Sequence, residues 1–238
     1  KDYDNHFHEQ PAPDQQFFDT FGFFGPVSNY AYHEGLQSLR ERAKAENVQY
    51  LETMLKLSPD VDNPGLAKII NDLNMNSTDV EIQEALTAFS DFMANDFEAK
   101  TKISDYIKSV DDVAAGIDTA DFKLRFQAYV SRNSAPAKVF SGLYSAFAAD
   151  QASKLIVGVN IVGPENGYVA MRDYSLHMRM FRFLKQPFPG VKLSLHAGEL
   201  VLGMVPSEGL KSHIREAVQI AGADRIGHGV DVANETNA

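Results

Sequence analysis

The sequence predicts an α/β fold with a parallel sheet, and a (β/α)8 barrel is the favoured form. Short apolar runs of strand length alternate with amphipathic helical segments four or five times, and polar residues follow the strand in every complete unit. A third observation separates a closed barrel from an open doubly wound sheet. No G-x-G-x-x-G or G-x-x-x-x-G-K-[ST] pattern follows a strand, so the nucleotide-binding forms of the open sheet lose support.

Composition limits the class of protein before any motif is considered. The 238 residues are 44% hydrophobic, carry a net charge of −10 and include no cysteine. An acidic chain is not expected to bind nucleic acid, and the lack of an apolar run of about 18 residues argues against a membrane protein. Without cysteine, disulfides, thiolate zinc sites and cysteine nucleophiles are excluded. We expect one soluble domain over residues 1–238, either cytoplasmic or exported.

The N-terminal part begins with a polar, proline-containing segment that suits an extended entry into the fold. It contains His6 and His8, a His-x-His pair that we expect to be solvated because no apolar strand surrounds it. The aromatic-rich residues 17–30 are expected to form core or the wall of a cleft. Residues 30–47 have the spacing of an amphipathic helix, and residues 48–54 alternate as a strand.

Residues 58–116 differ in kind, because helical patterns follow one another there without a strand between them. Helices are predicted at about 66–73, 79–97 and 97–113, with N-cap candidates before the second. This block is predicted to be a helical insertion at the mouth or rim of the barrel, with its charges on a solvated face.

The alternation of strand and helix resumes at residue 122. Residues 122–130 alternate like a strand with one buried face, whereas residues 154–161 are almost continuously apolar, as in a parallel strand buried on both faces. The remaining predicted elements are helices at 136–149, 174–184 and 208–221 and strands at 191–195 and 224–228.

Two strand ends carry the chemistry of the chain. His196 and Glu199 follow one predicted strand, and His228 lies between two glycines at the end of the next. Because the carboxyl ends of parallel strands meet at one edge, we expect these residues and Glu165 to converge on one pocket. Neutral imidazole is a metal ligand or a general base, and a nearby carboxylate can move protons. The combination predicts metal-assisted hydrolysis.

The other histidines of the folded part are expected to lie outside this pocket. His177 and His213 fall in predicted helices that should cover the outside of the barrel, so we expect both to be surface residues. His33 stands near a helix start and has no partner that the sequence identifies.

The motifs resemble those of the adenosine deaminase family. The resemblance is carried by SLHAGE at residues 194–199 and RIGHG at residues 225–229, some thirty residues apart. VGVNIVGPE at residues 157–165 and NVQYLE at residues 47–52 extend it. The phenylalanine-rich N-terminal part and VSRN at residues 130–133 resemble the branch of growth-factor-related, secreted-type deaminases.

The resemblance implies a barrel of the metal-dependent hydrolase type and the zinc-dependent hydrolytic deamination of adenosine, or a related purine nucleoside, to inosine and ammonia. It implies that His196 is a zinc ligand, that Glu199 donates a proton to a purine ring nitrogen, and that His228 orients and polarises the attacking hydroxide. It also places the backbone N–H of Gly163 against the purine, and Glu165 near the sugar or the rim.

The chain departs from the family pattern in its metal ligands. The family takes two zinc ligands from a His-x-His motif on the first barrel strand and one from an Asp-Asp pair on the last, and neither strand is recognised here. We therefore expect an internal fragment without the first strand and the last strands, which binds zinc weakly or not at all and is inactive by itself.

Two alternative functions stay open. One is a nucleoside-binding or signalling protein that keeps the barrel without turnover, and the other is a related metal-dependent hydrolase that acts on another purine. The presence of His196, Glu199 and His228 together argues against the first, because a binding protein does not need an acid beside a metal-ligand histidine. The expected partner in each case is a small purine nucleoside, and the oligomeric state is left open.

Overall fold

The computed structural model describes residues 11–28, 30–74 and 76–236. The chain divides into two compact units, Lys1–Gln49 and Tyr50–Ala238. All the strands of the described residues belong to the second unit. The prediction of a single domain over residues 1–238 remains a prediction.

The described residues of the first unit form three helices, α1 (Pro13–Asp19), α2 (Phe21–Ser28) and α3 (Tyr32–Ala45). A proline in the first turn starts α1, where the missing N–H has no helical partner to lose. The aromatic side chains of α1 and α2 contact one another, yet four of them are at least half exposed, namely Phe17, Phe21, Phe23 and Phe24. These four side chains are therefore not core, and the alternative that they line a cleft remains a prediction.

The second unit contains five parallel strands. They are β1 (Tyr50–Thr53), β2 (Lys123–Ser131), β3 (Ile156–Val162), β4 (Ser194–Ala197) and β5 (Arg225–His228). β1, β2 and β3 form one sheet and β4 and β5 another, with a parallel bridge between Val159 and Leu193 where the two meet. The strands thus follow one another in chain order. The fold is mixed α/β, as predicted, but the described residues do not form a closed barrel.

Helices cover the strands from the outside. They are α4 (Pro64–Asn71), α5 (Asp79–Asn95), α6 (Phe97–Ala114), α7 (Pro136–Ala152), α8 (Tyr168–Leu184) and α9 (His213–Gln219), with short 3-10 turns at Ser207–Leu210 and Val232–Asn234. The predicted helix at 174–184 begins six residues earlier than expected, at Tyr168. The predicted helix at 208–221 is a 3-10 turn followed by a two-turn helix.

Three helices, α4, α5 and α6, lie between β1 and β2, and their place at the mouth or rim of a barrel remains a prediction. The predicted N-cap signal before α5 is a capping box, in which Thr78 accepts from the Glu81 backbone N–H and the Glu81 carboxylate accepts from that of Thr78. All three helices of the block pack against α7, and Phe89 meets Phe140 there with ring centroids 5.9 Å apart. Because α7 itself packs on β2 and β3, the block forms an outer layer.

The two faces of β2 differ in character. Leu124, Phe126, Ala128 and Val130 are buried, whereas the residues between them are less buried and mostly polar. The buried face approaches α7 closely, since a Cβ at Gly142 would lie 2.9 Å from a methyl group of Val130. The opposite face carries Gln127, which bonds to side chains of neighbouring strands.

None of the described helices is long and apolar enough to cross a membrane.

Candidate active site

Three side chains meet at the carboxyl ends of β4 and β5. The strand register sets His196 beside Gly227 and Ala197 beside His228. The rings of His196 and His228 are 5.0 Å apart, and the Nε2 atom of His228 lies 3.5 Å from a carboxylate oxygen of Glu199. The side chains of His228 and Glu199 are 34% and 30% exposed, so a small molecule can reach both.

The two loops that carry these residues are joined by backbone hydrogen bonds. The N–H of Gly229 donates to the carbonyl of Ala197 at 2.9 Å, and that of Val230 to the carbonyl of Gly198 at 2.8 Å. Gly198 has a φ of +72°, and a Cβ there would lie 2.3 Å from a carboxylate oxygen of Asp231. Only glycine fits a position with both constraints.

His228 has a backbone conformation that residues other than glycine rarely adopt. Its φ is +73°, in the left-handed region, although it has a Cβ and a bulky imidazole side chain. The flanking Gly227 and Gly229 leave room for this turn, and the backbone bonds of Gly229 and Val230 hold it. Strain of this kind persists where the surroundings impose it, often at functional sites.

Glu165 lies beneath the loop that presents Glu199. It is 2% exposed, and its two oxygens accept hydrogen bonds from the backbone N–H groups of Gly198 at 3.0 Å and Glu199 at 2.9 Å. His213 Nδ1 lies 2.6 Å from the same carboxylate and an Arg132 nitrogen 3.5 Å from it. Burial opposes ionisation, but the His213 bond and the Arg132 charge together lower the pKa of Glu165.

The environment of Glu165 bears on its predicted role. It was expected near the sugar or the rim, whereas its carboxylate is buried and bonded to the chain itself. In this position the carboxylate holds the loop of Glu199 in place.

Gly163 lies in the loop after β3 with a φ of +102°, next to Asn133. Its contact with a purine remains a prediction.

The expectation that His177 and His213 are surface residues is wrong. They are 1% and 4% exposed. The His213 ring stacks on Tyr174 at 3.6 Å between centroids and bonds to Glu165. Burial lowers the pKa of His177 to about 4, and its Nε2 has no hydrogen-bond partner among the described residues. Helical spacing shows which residues share a face of a helix, but not whether that face is covered.

Arg132 and Asp231 belong to the same buried surroundings and were not predicted. Arg132 is 1% exposed and donates to the carbonyls of Ile161 at 3.1 Å and His196 at 2.5 Å, so it ties the end of β2 to β3 and β4. Asp231 is also 1% exposed, and burial together with nearby carboxylates raises its pKa to about 6. The hydrogen-bond partners of Arg132 are distant in sequence, so no local pattern could have indicated it.

His196 is held by Asn160, another residue that the sequence did not single out. The Asn160 carbonyl oxygen lies 2.9 Å from His196 Nδ1 and accepts from the His196 backbone N–H at 3.1 Å. Burial, followed by the neighbouring His228 and Arg132, lowers the pKa of His196 to about 4. The imidazole is therefore neutral at pH 7.

The donor set for a metal is incomplete in the described part of the chain. A neutral imidazole with one nitrogen bonded to an amide oxygen is the state in which histidine binds zinc, so His196 fits as one ligand. Structural and catalytic zinc sites take three or four protein ligands, and no group of three His, Asp or Glu residues among those described is placed to hold a metal. His6 and His8 lie outside the described residues.

Comparison with known proteins gives a partial likeness. No family model matches the chain, and no solved structure matches it at a significant level. Proteins named adenosine deaminase from Mycobacterium ulcerans and Mycolicibacterium vanbaalenii are each 35% identical over 82 residues, which is 34% of this chain and 19% of the relative. One from Mycolicibacterium gilvum is 35% identical over 80 residues. The chain thus spans about a fifth of the length of these curated relatives.

Proposed function

We propose that the protein to which this chain belongs hydrolyses adenosine, or a related purine nucleoside, to inosine and ammonia. The observation that carries the proposal is the meeting of His196, Glu199 and His228 at the carboxyl ends of two adjacent parallel strands. The relatives named adenosine deaminase support a deaminase-type hydrolase at the level of the family. Five parallel strands in chain order are compatible with part of a (β/α)8 barrel, and we propose that fold for the whole protein.

The proposed reaction replaces the amino group of the purine by oxygen from water. Glu199, as the carboxylic acid, donates a proton to a ring nitrogen, which makes the adjacent carbon electrophilic. His228 accepts a hydrogen bond from the attacking water and orients it toward that carbon. As the new C–O bond forms and the C–N bond breaks, one proton of the water passes through His228 to the amino group, which leaves as ammonia, and the other proton returns to the Glu199 carboxylate. The 3.5 Å separation of His228 and Glu199 lets both groups reach neighbouring atoms of one small substrate.

Zinc is the cofactor that this proposal implies, and His196 is the residue that we propose as its ligand in the described part of the chain. When bound, zinc would lower the pKa of water so that a hydroxide forms near neutral pH. The remaining ligands would come from residues that the structure does not describe or that lie in the rest of the protein. We expect the 238-residue chain alone to bind zinc weakly and to lack activity.

Two further residues complete the proposed site. Gly163, at the end of the neighbouring β3, would donate its backbone N–H to the purine. Glu165 would act beneath the site by holding the N–H groups of Gly198 and Glu199, which sets the direction of the Glu199 side chain. The phenylalanine-rich N-terminal unit would place the protein in the growth-factor-related branch of the deaminases.

Ammonia release from adenosine by the whole protein tests the proposal. We expect Glu199→Gln and His228→Ala to lower kcat/KM by about 10²- to 10⁴-fold, the range for a lost general acid or base. Glu208→Gln, which removes an exposed carboxylate nine residues away, is the matched control and should leave the rate unchanged.

The outcomes separate the alternatives. Wild-type rates in both Glu199→Gln and His228→Ala would refute the assigned roles. Adenosine binding without ammonia release would identify a nucleoside-binding protein instead. Release of ammonia from another amino-purine, but not from adenosine or 2′-deoxyadenosine, would identify a hydrolase of different specificity.

A further inference from the structure

A series of hydrogen-bonded polar side chains runs from His196 through the buried Asn160 across the inner face of the strands. The Asn160 oxygen lies 2.9 Å from His196 Nδ1, and the Asn160 nitrogen donates to the Gln127 oxygen at 2.8 Å. The Gln127 nitrogen donates to the Glu52 carboxylate at 2.8 Å, and Arg225 also donates to that carboxylate. These contacts connect β4 to β3, β2 and β1, and Arg225 on β5 closes the series. We call Asn160 and Gln127 the amide pair.

The orientation of Asn160 follows from its neighbours rather than from the placement of its atoms. The backbone N–H groups of His196 and Ile161 lie 3.1 Å and 2.8 Å from one atom of the amide, and N–H groups only donate. That atom must be the oxygen. The same atom lies beside His196 Nδ1, so Nδ1 faces an acceptor.

The far end of the series gives the same orientation independently. The Glu52 carboxylate only accepts, because the hydrogen bonds from Gln127 and Arg225 outweigh its burial and lower its pKa. Gln127 must therefore present its nitrogen to Glu52 and its oxygen to Asn160. Asn160 must then present its nitrogen to Gln127, which leaves its oxygen for His196. The donors and acceptors at the two ends of the series therefore require the same orientation of the Asn160 amide.

We infer that Asn160 is a positioning residue that fixes the neutral imidazole of His196 as the Nδ1–H tautomer and leaves an electron pair on Nε2. A neutral imidazole carries one proton, so a bond from Nδ1–H to Asn160 leaves Nε2 free to bind a cation or accept a proton. Without Asn160 the imidazole can carry its proton on Nε2, where the electron pair is lost. The inference rests on the proposed function only for the use of that electron pair.

The amide pair suits this task because amides do not titrate. A carboxylate in place of Asn160 would also accept from Nδ1–H, but it would add a buried charge to those of Glu165 and Arg132. With two neutral amides, the nearest carboxylate of the series is Glu52, on the other side of Gln127. The tautomer of His196 is thereby independent of pH as long as the ring is neutral.

The test is the tautomer itself, measured by long-range ¹H–¹⁵N correlation spectra of the metal-free, full-length protein labelled with ¹⁵N-histidine. The signals of His196 are assigned by comparison with His196→Gln. We expect an Nδ1–H tautomer in the wild type at pH 7 and in Asn160→Asp, which keeps an acceptor. In Asn160→Leu we expect the Nε2–H form to appear. A wild-type spectrum with Nε2–H overturns the inference, even if Asn160→Leu does not fold.

The matched control is Gln127→Leu, which removes an amide one step further along while leaving the Asn160 oxygen in place. We expect the Nδ1–H tautomer to persist in it. A switch of tautomer in Gln127→Leu would mean that general disruption, and not loss of the Asn160 acceptor, determines the tautomer. The tautomer is measured without substrate, so a result against the Asn160 inference leaves the proposed function untouched. Absence of ammonia release would refute the proposed function alone.

Discussion

The two sides of the candidate active site rest on different kinds of support. Beneath Glu199 lies a charged cluster, in which the Glu165 carboxylate is bonded to His213 and ion-paired with Arg132. Beneath His196 lies the amide pair of Asn160 and Gln127, which is neutral. The charged cluster and Asn160 are buried, whereas Gln127 is half-buried. Both supports end on backbone groups of the loop or strand that carries a proposed functional residue.

The difference lies in what happens when one partner is removed. A buried charge that loses its partner remains charged in a poorly solvating interior, whereas an amide that loses its partner leaves one unsatisfied dipole. The charged cluster also responds to pH, while the amide pair does not. We therefore expect mutations to act mainly through the side of Glu199.

Arg132→Met should have the largest effect. It leaves the buried Glu165 carboxylate without its cation and the carbonyls of Ile161 and His196 without their donor. We expect a loss of roughly 3–5 kcal/mol in the free energy of unfolding, measured by urea denaturation at pH 7. Gln127→Leu, the counterpart in the amide pair, should cost only about 1–3 kcal/mol, because it removes the oxygen acceptor of the Asn160 nitrogen and one donor to the Glu52 carboxylate.

The difference between the two variants in the free energy of unfolding tests whether charge distinguishes the two supports. Equal losses in Arg132→Met and Gln127→Leu would show that the charge of the cluster is not what distinguishes the two supports. In addition, Glu165→Gln placed in the Arg132→Met background should recover stability, because it removes the unpaired charge. No recovery would mean that the packing and hydrogen bonds of Arg132 dominate.

His177→Met should make the protein less sensitive to acid. Burial lowers the pKa of His177 from its ordinary 6.5 to about 4, so the unfolded chain binds a proton before the folded chain does. The wild type is therefore expected to lose stability as the pH falls from 6.5 toward 4, by about 2–3 kcal/mol from this residue. Urea midpoints at pH 7 and pH 5 should lie closer together in His177→Met. An unchanged pH slope would contradict the assignment to His177.

The residues at the strand ends could be predicted from the sequence better than the buried residues that support them. His196, Glu199 and His228 could be placed because each lies at or just after the end of a recognisable strand, and glycines stand next to Glu199 and His228. Arg132 could not, since the carbonyls that it binds belong to residues 29 and 64 positions further on. The burial of His177 and His213 was missed for a related reason. A covering layer is a property of tertiary packing, which periodicity does not report.

The limits of prediction differ between the two units as well. In the second unit the alternation of β2 and the capping box of α5 were both confirmed, because each is a local signal with a local cause. In the first unit the aromatic residues were expected to form core or the wall of a cleft, and Phe23, which is 81% exposed, is not core. Hydrophobicity indicates a tendency to be covered, but it does not identify the surface that covers the side chain.

Asp231→Asn should have the smallest effect and the opposite sign. Neither carboxylate oxygen of Asp231 has a hydrogen-bond partner in the described residues, and burial with the nearby Glu165 and Glu235 raises its pKa to about 6. The folded state therefore carries an unfavourable charge above pH 6, which protonation removes as the pH falls toward the ordinary value of 3.8. We expect Asp231→Asn to be more stable than the wild type by roughly 1 kcal/mol at pH 7, and this gain to shrink between pH 6 and pH 4. A loss of stability at pH 7 would show that the carboxylate, despite its surroundings, stabilises the charged side of the site.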